Sequence, residues 1–195
     1  MTIWVTSDTH FSHNKILKYC PNRGEVWGED VIAMNNGLRD NWNHCVRPSD
    51  TVYLLGDVTF GHVPEKNVQY LKSLNGKKHL VFGNHDKIIK KNKELFSEVF
   101  ESMQDYLEVS INGQHICLFH FAPRVWNKSH RGSWCLWGHS HGGLPPHGLS
   151  VDVGIDSKWV TGRYEHRPFS FNEIKAFMDK QVPSEPTQET IDRGL

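Results

Sequence analysis

Short apolar runs and helical stripes alternate along the first half of the chain. Ile3-Trp4-Val5 is a β-type run that ends in the polar pair Ser7-Asp8. From Asp30 to Cys45 the apolar positions Val31, Met34, Leu38 and Trp42 recur at the spacing of one helix face. Thr51-Val52-Tyr53-Leu54-Leu55 is a second apolar run, closed by Gly56-Asp57. Pro64 to Leu74 reads as a helix, with proline in its first turn and Val68, Leu71 and Leu74 along one side. Lys78 to Phe82 is a third run, closed by Gly83-Asn84. Strands separated by helical stretches predict βαβ units in a parallel or mixed sheet, and so an α/β fold.

The second half is richer in strands. Residues 106–111 and 115–119 flank Asn112-Gly113, a pair suited to a two-residue hairpin turn. Ser133 to Trp137 and Leu149 to Val153 are further short strands. Ser170 and Glu173 form a capping box ahead of Ile174, Phe177 and Met178, so a final helix begins there. We expect a single domain over residues 1–181 and a flexible tail over 182–195, where Pro183 and Pro186 punctuate polar residues.

Composition narrows the class. At 195 residues, with 37% hydrophobic and 23% charged, the chain suits a globular domain. Lys+Arg and Asp+Glu both number 22, so no global charge draws it to nucleic acid or to an anionic membrane. None of the four cysteines, Cys20, Cys45, Cys117 and Cys135, forms a C-x-x-C pair. The opening residues lack the pattern of a secretory signal, and no apolar run approaches a membrane span. The expectation is a reduced, cytoplasmic protein. The 13 histidines are the unusual figure, because imidazole is both a metal ligand and a proton carrier.

Those histidines gather with acids and amides where strands end. Asp8-Thr9-His10 follows the first strand, Gly56-Asp57 the second and Gly83-Asn84-His85-Asp86 the third. His120 follows Leu118-Phe119, and Gly138-His139-Ser140-His141 follows Leu136-Trp137. The carboxyl ends of strands in open α/β sheets are where ligands bind. Nitrogen and oxygen donors without thiolate suit Mn, Fe or Zn. Each fragment alone reads as a polar turn; their order and their common placement at strand ends point to one metal site.

The ordered set D-x-H (8–10), G-D (56–57), G-N-H-D (83–86), His120 and G-H-S-H (138–141) resembles that of the calcineurin-like metallophosphoesterases. The later VDVGID and RPFSFNEI resemble the closing strand and final helix of that family, in a small bacterial or phage type of member. The resemblance implies a four-layer α/β/β/α sandwich of two mixed sheets flanked by helices. It implies a dinuclear site, with Asp8, His10, Asp57 and His141 on one divalent metal and Asp57, Asn84, His120 and His139 on the other. Manganese is the expected metal, with Fe, Zn or Ni as alternatives. A hydroxide bridging the metals would attack phosphorus, and the catalytic His85 would help the leaving oxygen depart. Asp86 would support the turn and its ligands. In several relatives an aspartate three residues beyond the bridging one orients that histidine; here the position is Phe60.

Other residues carry weaker signals. His13 and Asn14 could reach a substrate phosphate, or could be capping or surface residues. Arg23 and Arg124 could clamp phosphate as forks, or could be solvated arginines. Lys87, Lys90, Lys91 and Lys93 either steer an anion or form an exposed helix face. The expected reaction is hydrolysis of a nucleotide-type phosphodiester or a small phosphomonoester, with a small phosphorylated or nucleotide substrate and no membrane. A nuclease acting on DNA or RNA and a non-catalytic metal-binding interaction scaffold are the rivals. A nuclease would want a long basic groove, which the balanced charge disfavours, and a scaffold would be expected to lose ligands.

Overall fold

The computed structural model describes residues 1–184; most of the expected flexible tail, from residue 185, lies outside the described residues. The chain begins with β1 (Ile3–Thr6), then α1 (Ile16–Tyr19), α2 (Pro21–Trp27) and α3 (Val31–Cys45). There follow β2 (Thr51–Leu54), α4 (Pro64–Lys72), β3 (Lys77–Val81), α5 (Lys87–Lys91), α6 (Lys93–Phe96) and β4 (Phe100–Gln104). The second half supplies β5 (Leu107–Ile111), β6 (Gln114–Leu118), β7 (Trp134–Trp137), β8 (Ser150–Asp152), β9 (Phe169–Ser170) and α7 (Phe171–Met178).

These strands form two mixed sheets flanked by helices. One runs β4-β3-β2-β1-β9, parallel except for β9; the other runs β5-β6-β7-β8, antiparallel only at β5–β6. The two-residue period of a strand sends alternate residues to opposite faces. In the first sheet Val52, Leu54 and Leu80 face a core completed by Met34, Leu38 and Trp42 of α3 and by Val68 and Leu71 of α4. Val5 and Val81 turn the other way and meet Ile116, Leu118, Leu136 and Val151 of the second sheet, together with Ile174 and Met178 of α7. A bridge between Ser7 and Gly154 ties the end of β1 to the segment after β8.

Local signals place the elements that were read from the sequence. Asp30 caps α3 by accepting the N–H groups of Ile32 and Ala33 at 2.8 and 3.0 Å. The β5–β6 turn has positive φ at both Asn112 and Gly113, as that turn requires. Ser170 accepts the N–H of Glu173, while Glu173 accepts the N–H of Ser170 at 2.8 Å, completing the capping box on α7. The sequence reading did not include α1, α2 or the edge strand β4. Both helices are short, so tertiary packing rather than a long apolar stripe holds them.

Candidate metal centre

The loops after β1, β2, β3, β6 and β7 meet at one end of the two sheets. The first two are zipped together by backbone bonds: Asp8 N–H to Gly56 O, His10 N–H to Asp57 O and Phe11 N–H to Val58 O, each 3.0 Å. Gly138 N–H donates to His120 O at 3.0 Å and joins the last two. Approach this close leaves no room for some side chains. A Cβ on Gly83 would collide with Asp57, and one on Gly138 would collide with Ser7 and Asp8. The glycines of G-N-H-D and G-H-S-H are there for contact between loops as much as for turning.

Asp8, His10, Asp57, His139 and His141 all have positive φ, between 48° and 66°. Non-glycine residues seldom adopt this region, and backbone strain of this kind is held where structure over-determines it for function. The strained backbone brings these side chains towards one another. His10 Nε2 lies 3.8 Å from Asp8 Oδ1 and 3.6 Å from Asp57 Oδ2. His141 Nε2 lies 4.0 Å from Asp8 Oδ1. Asp57 Oδ2 also lies 3.6 Å from His120 Nε2, which is 2.9 Å from Asn84 Oδ1. Asp8, His10 and His141 form one donor group within 4.8 Å, and Asp57, His120 and His139 form another.

The donor set fits divalent cations. Asp8 Oδ1 and His10 Nε2 are buried and have no hydrogen-bond partner in the protein. Such atoms are costly to bury unless something pairs with them, and a cation between these groups would do so. Burial disfavours the charge on Asp8, but His10, His141 and His120 outweigh it and keep the carboxyl below its ordinary range. Burial lowers His10, favouring the neutral imidazole that a metal needs.

Several contacts fix the donors in place. The carboxylate of Asp86 accepts the N–H of Asp57 at 2.9 Å, of Val58 at 2.9 Å and of Gly83 at 2.7 Å, clamping two of the loops together. His120 Nδ1 bonds to Leu55 O at 2.7 Å, leaving Nε2 to face the centre. His141 Nδ1 is 2.7 Å from Asp156 Oδ2, a partner of the kind that orients a metal-binding imidazole. Burial works against the charged form of His141, yet Asp156 and Asp8 raise its pKa well above the usual histidine range. Asp152 accepts Ser140 Oγ–H at 2.5 Å and Gly142 N–H at 2.9 Å, bracing the last loop. Burial pushes its own carboxyl up to about 6. The sequence reading gave Asp152 and Asp156 no role, although VDVGID is another strand end bearing acids.

Arg23 requires a correction. We expected a phosphate fork or a solvated arginine; it is fully buried, with its donors taken up inside the protein. Its Nε and Nη2 bond to the two oxygens of Asp156 at 2.7 and 2.6 Å, and its remaining donors reach the carbonyls of Thr9 and Asp8. Arg23 thus braces Asp156 and the D-x-H loop from beneath. Asn14 and Arg124 are exposed on loops.

His13 is partly exposed, with Nδ1 3.3 Å from His10 Nδ1. Its ring lies flat on Phe60, with centroids 3.9 Å apart. Burial lowers its pKa to about 4. Phe60 also packs 4.9 Å from His10 and 4.9 Å from His85. At the position where the sequence resemblance drew attention to a missing carboxylate, this chain packs an aromatic ring against the histidine. His85 is exposed, and its backbone N–H donates to Asp57 Oδ1 at 2.9 Å. Among the lysines, Lys90 pairs with Asp105 at 2.7 Å, and Lys90 and Lys93 lie over the Phe82 ring at 4.8 and 5.0 Å.

Two adjoining nitrogen and oxygen donor groups at strand ends, one carboxylate reaching both, are suited to divalent cations. The family model described as calcineurin-like phosphoesterase matches residues 1–173, and the chain belongs to that family, which makes it a metal-dependent phosphoric ester hydrolase. An uncharacterized protein of Methanocaldococcus jannaschii is 31% identical over 186 residues, covering 91% of this chain and 92% of the relative. The Gene 66 protein of Mycobacterium phage L5 is 25% identical, covering 79% of this chain and 86% of its own. A crystal structure of a protein of unknown function from Aquifex aeolicus shares the fold, at a TM-score of 0.66 and 24% identity, over 90% of this chain and 98% of that one. No helix among the described residues is long and apolar enough to cross a membrane.

Proposed function

We propose that the chain hydrolyses a nucleotide-type phosphodiester or a small phosphomonoester at a dinuclear centre. The observation that carries this reading is the position of Asp57 Oδ2, 3.6 Å from His10 Nε2 and 3.6 Å from His120 Nε2. One oxygen placed between two donor groups supports the assignment of Asp57 as the shared ligand. Asp8, His10 and His141 would complete one cation's set; Asn84, His120 and His139 would complete the other's. Metals held there would supply Lewis-acid chemistry to a phosphoryl oxygen and a nucleophile at neutral pH. Oxygen and imidazole donors suit manganese, with iron, zinc and nickel as the alternatives.

The protein's own groups do the rest. Asp8 and Asp57 bring negative charge that holds the cations. His85 stands at the exposed side of the centre, where its ring can donate a proton or a hydrogen bond to the leaving oxygen. His13, partly exposed and backed by Phe60, would donate to a phosphate oxygen; exposed Asn14 and Arg124 are further candidates for the substrate rim. The balanced charge and the local pairing of Lys90 with Asp105 favour a small substrate over a long nucleic acid. The free state of all four cysteines fits a cytoplasmic protein.

The test is a paired assay with Mn²⁺, using bis-(p-nitrophenyl) phosphate beside p-nitrophenyl phosphate, with EDTA and Asp57→Asn controls. Turnover of either ester that EDTA and Asp57→Asn both abolish is the expected result, and the preferred ester sets the substrate class. Near-normal turnover by Asp57→Asn at equal metal loading would overturn the shared-ligand mechanism.

A further inference from the structure

A second, different donor group lies on the β5–β6 hairpin. Strand register aligns Glu108 with Cys117 and Cys117 with Cys135, in one row across β5, β6 and β7. Side chains directly opposite one another share a face, with Cβ atoms about 4.5–5.5 Å apart. His115 precedes Cys117 by two positions on β6, so it belongs to that face as well. One donor atom each from Glu108, His115 and Cys117 lies within 4.8 Å of the others. His115 Nε2 is 2.7 Å from Glu108 Oε2. Cys117 and Cys135 are fully buried and free, while Glu108 and His115 are only partly buried. The group therefore has a closed floor and an outer side open to solvent.

Neighbouring residues hold these donors in position. Glu108 accepts the Tyr106 hydroxyl at 2.9 Å and the Asn127 side-chain amide at 3.0 and 3.1 Å. The Cys117 thiol donates to Asn127 O at 3.6 Å. Supporting bonds of this kind fix the direction of ligand side chains.

We propose that Glu108, His115 and Cys117, floored by the buried Cys135 of the same row, form a separate binding site for Zn²⁺ or a similar thiophilic divalent cation. A carboxylate, an imidazole and a thiolate are three protein ligands for zinc, and the open outer side leaves the fourth tetrahedral position to solvent. The main centre is built from nitrogen and oxygen alone, so the two sites differ in softness and would sort metals differently. Binding releases the Cys117 thiol proton to solvent and replaces its bond to Asn127 with a sulfur–metal bond. The site would clip the hairpin beside the loop that follows His120 and carries Arg124 and Asn127. This inference does not depend on the phosphoesterase reading.

The test is titration of the metal-stripped full chain with Co²⁺, read by the near-ultraviolet thiolate-to-cobalt absorption, with bound Zn²⁺ counted in parallel. The band should appear in the wild type and in Asp57→Asn, and vanish in Cys117→Ser with the loss of about one Zn²⁺ per chain. Glu108→Gln and His115→Gln should weaken Co²⁺ binding at this site by about 10–100-fold. The absence of a thiolate band in the wild type would overturn the proposal. So would a band that survives Cys117→Ser, or one lost in Cys20→Ser, which would place the thiolate beside His141, whose Nδ1 lies 3.4 Å from Cys20 Sγ. If Cys117→Ser does not fold, the two partly exposed variants decide, and unchanged affinity in both would overturn it.

Discussion

Asp86 Oδ2 accepts the backbone N–H of Asp57 at 2.9 Å, so the last residue of G-N-H-D holds the residue that reaches both donor groups. The same carboxylate takes the N–H groups of Val58 and Gly83. Asp86→Asn would turn an amide N–H toward at least one of these donors. The expected result is a loss of about 1–3 kcal/mol of stability and of about 10–100-fold in metal affinity. Denaturant unfolding and metal titration of the variant check both.

His85→Ala should keep its metals, because that imidazole belongs to neither donor group. Turnover should fall by about 10²–10⁴-fold, most for esters with poor leaving groups. A series of aryl phosphates of graded leaving-group pKa, assayed at measured metal content, checks this. Collapse of metal content would instead make His85 a ligand or a structural residue.

Phe60 packs against His10, His13 and His85 together. Phe60→Ala should leave the metal ligands in place and free the His85 ring. We expect a drop in kcat and a rise in KM, with metal content little changed. Steady-state kinetics beside metal analysis distinguishes this from a general loss of packing, which would lower stability and metal content together.

Arg23 and Asp156 form a buried ion pair on which His141 also depends. Asp156→Leu should cost about 3–5 kcal/mol, because it leaves the guanidinium buried and unpaired. The double variant Arg23→Met with Asp156→Leu should recover a substantial part of that stability. It should still bind metal weakly, since His141 has lost its orienting carboxylate. Unfolding curves and metal titration of the single and double variants separate the two effects.

Lys78 is buried on β3, with its ammonium on Gly76 O at 2.9 Å, and burial lowers its pKa to about 8. Between that value and its ordinary 10.5 the unfolded chain binds more protons than the folded one, so stability rises with pH across this window. The contribution is fully present above the ordinary value and is lost as pH falls through about 8. Lys78→Met should stabilise the protein at pH 7 by up to about 3 kcal/mol and flatten the rise. Unfolding free energies measured from neutral to alkaline pH check the slope.

The sequence by itself determined what local periodicity and short motifs encode. Strand runs closed by D-x-H, G-D and G-N-H-D could be placed because a strand's two-residue period and its polar ending are written in adjacent residues. Asp30 and Ser170 marked helix starts for the same reason. The order of the motifs then carried the family.

What only the tertiary structure decided depends on partners far apart in sequence. Arg23 meets Asp156 across 133 positions, and nothing within either segment announces that pairing. As a lone arginine in a polar stretch, Arg23 reads as a surface residue; folding makes it the buried brace of the centre. Phe60 likewise reads as a missing carboxylate until three histidine rings close around it. The row from Glu108 through Cys117 to Cys135 appears only once β7 is laid beside the hairpin. Register and burial, set by how the two sheets pack, bring these side chains together, and no single stretch of the chain contains that information.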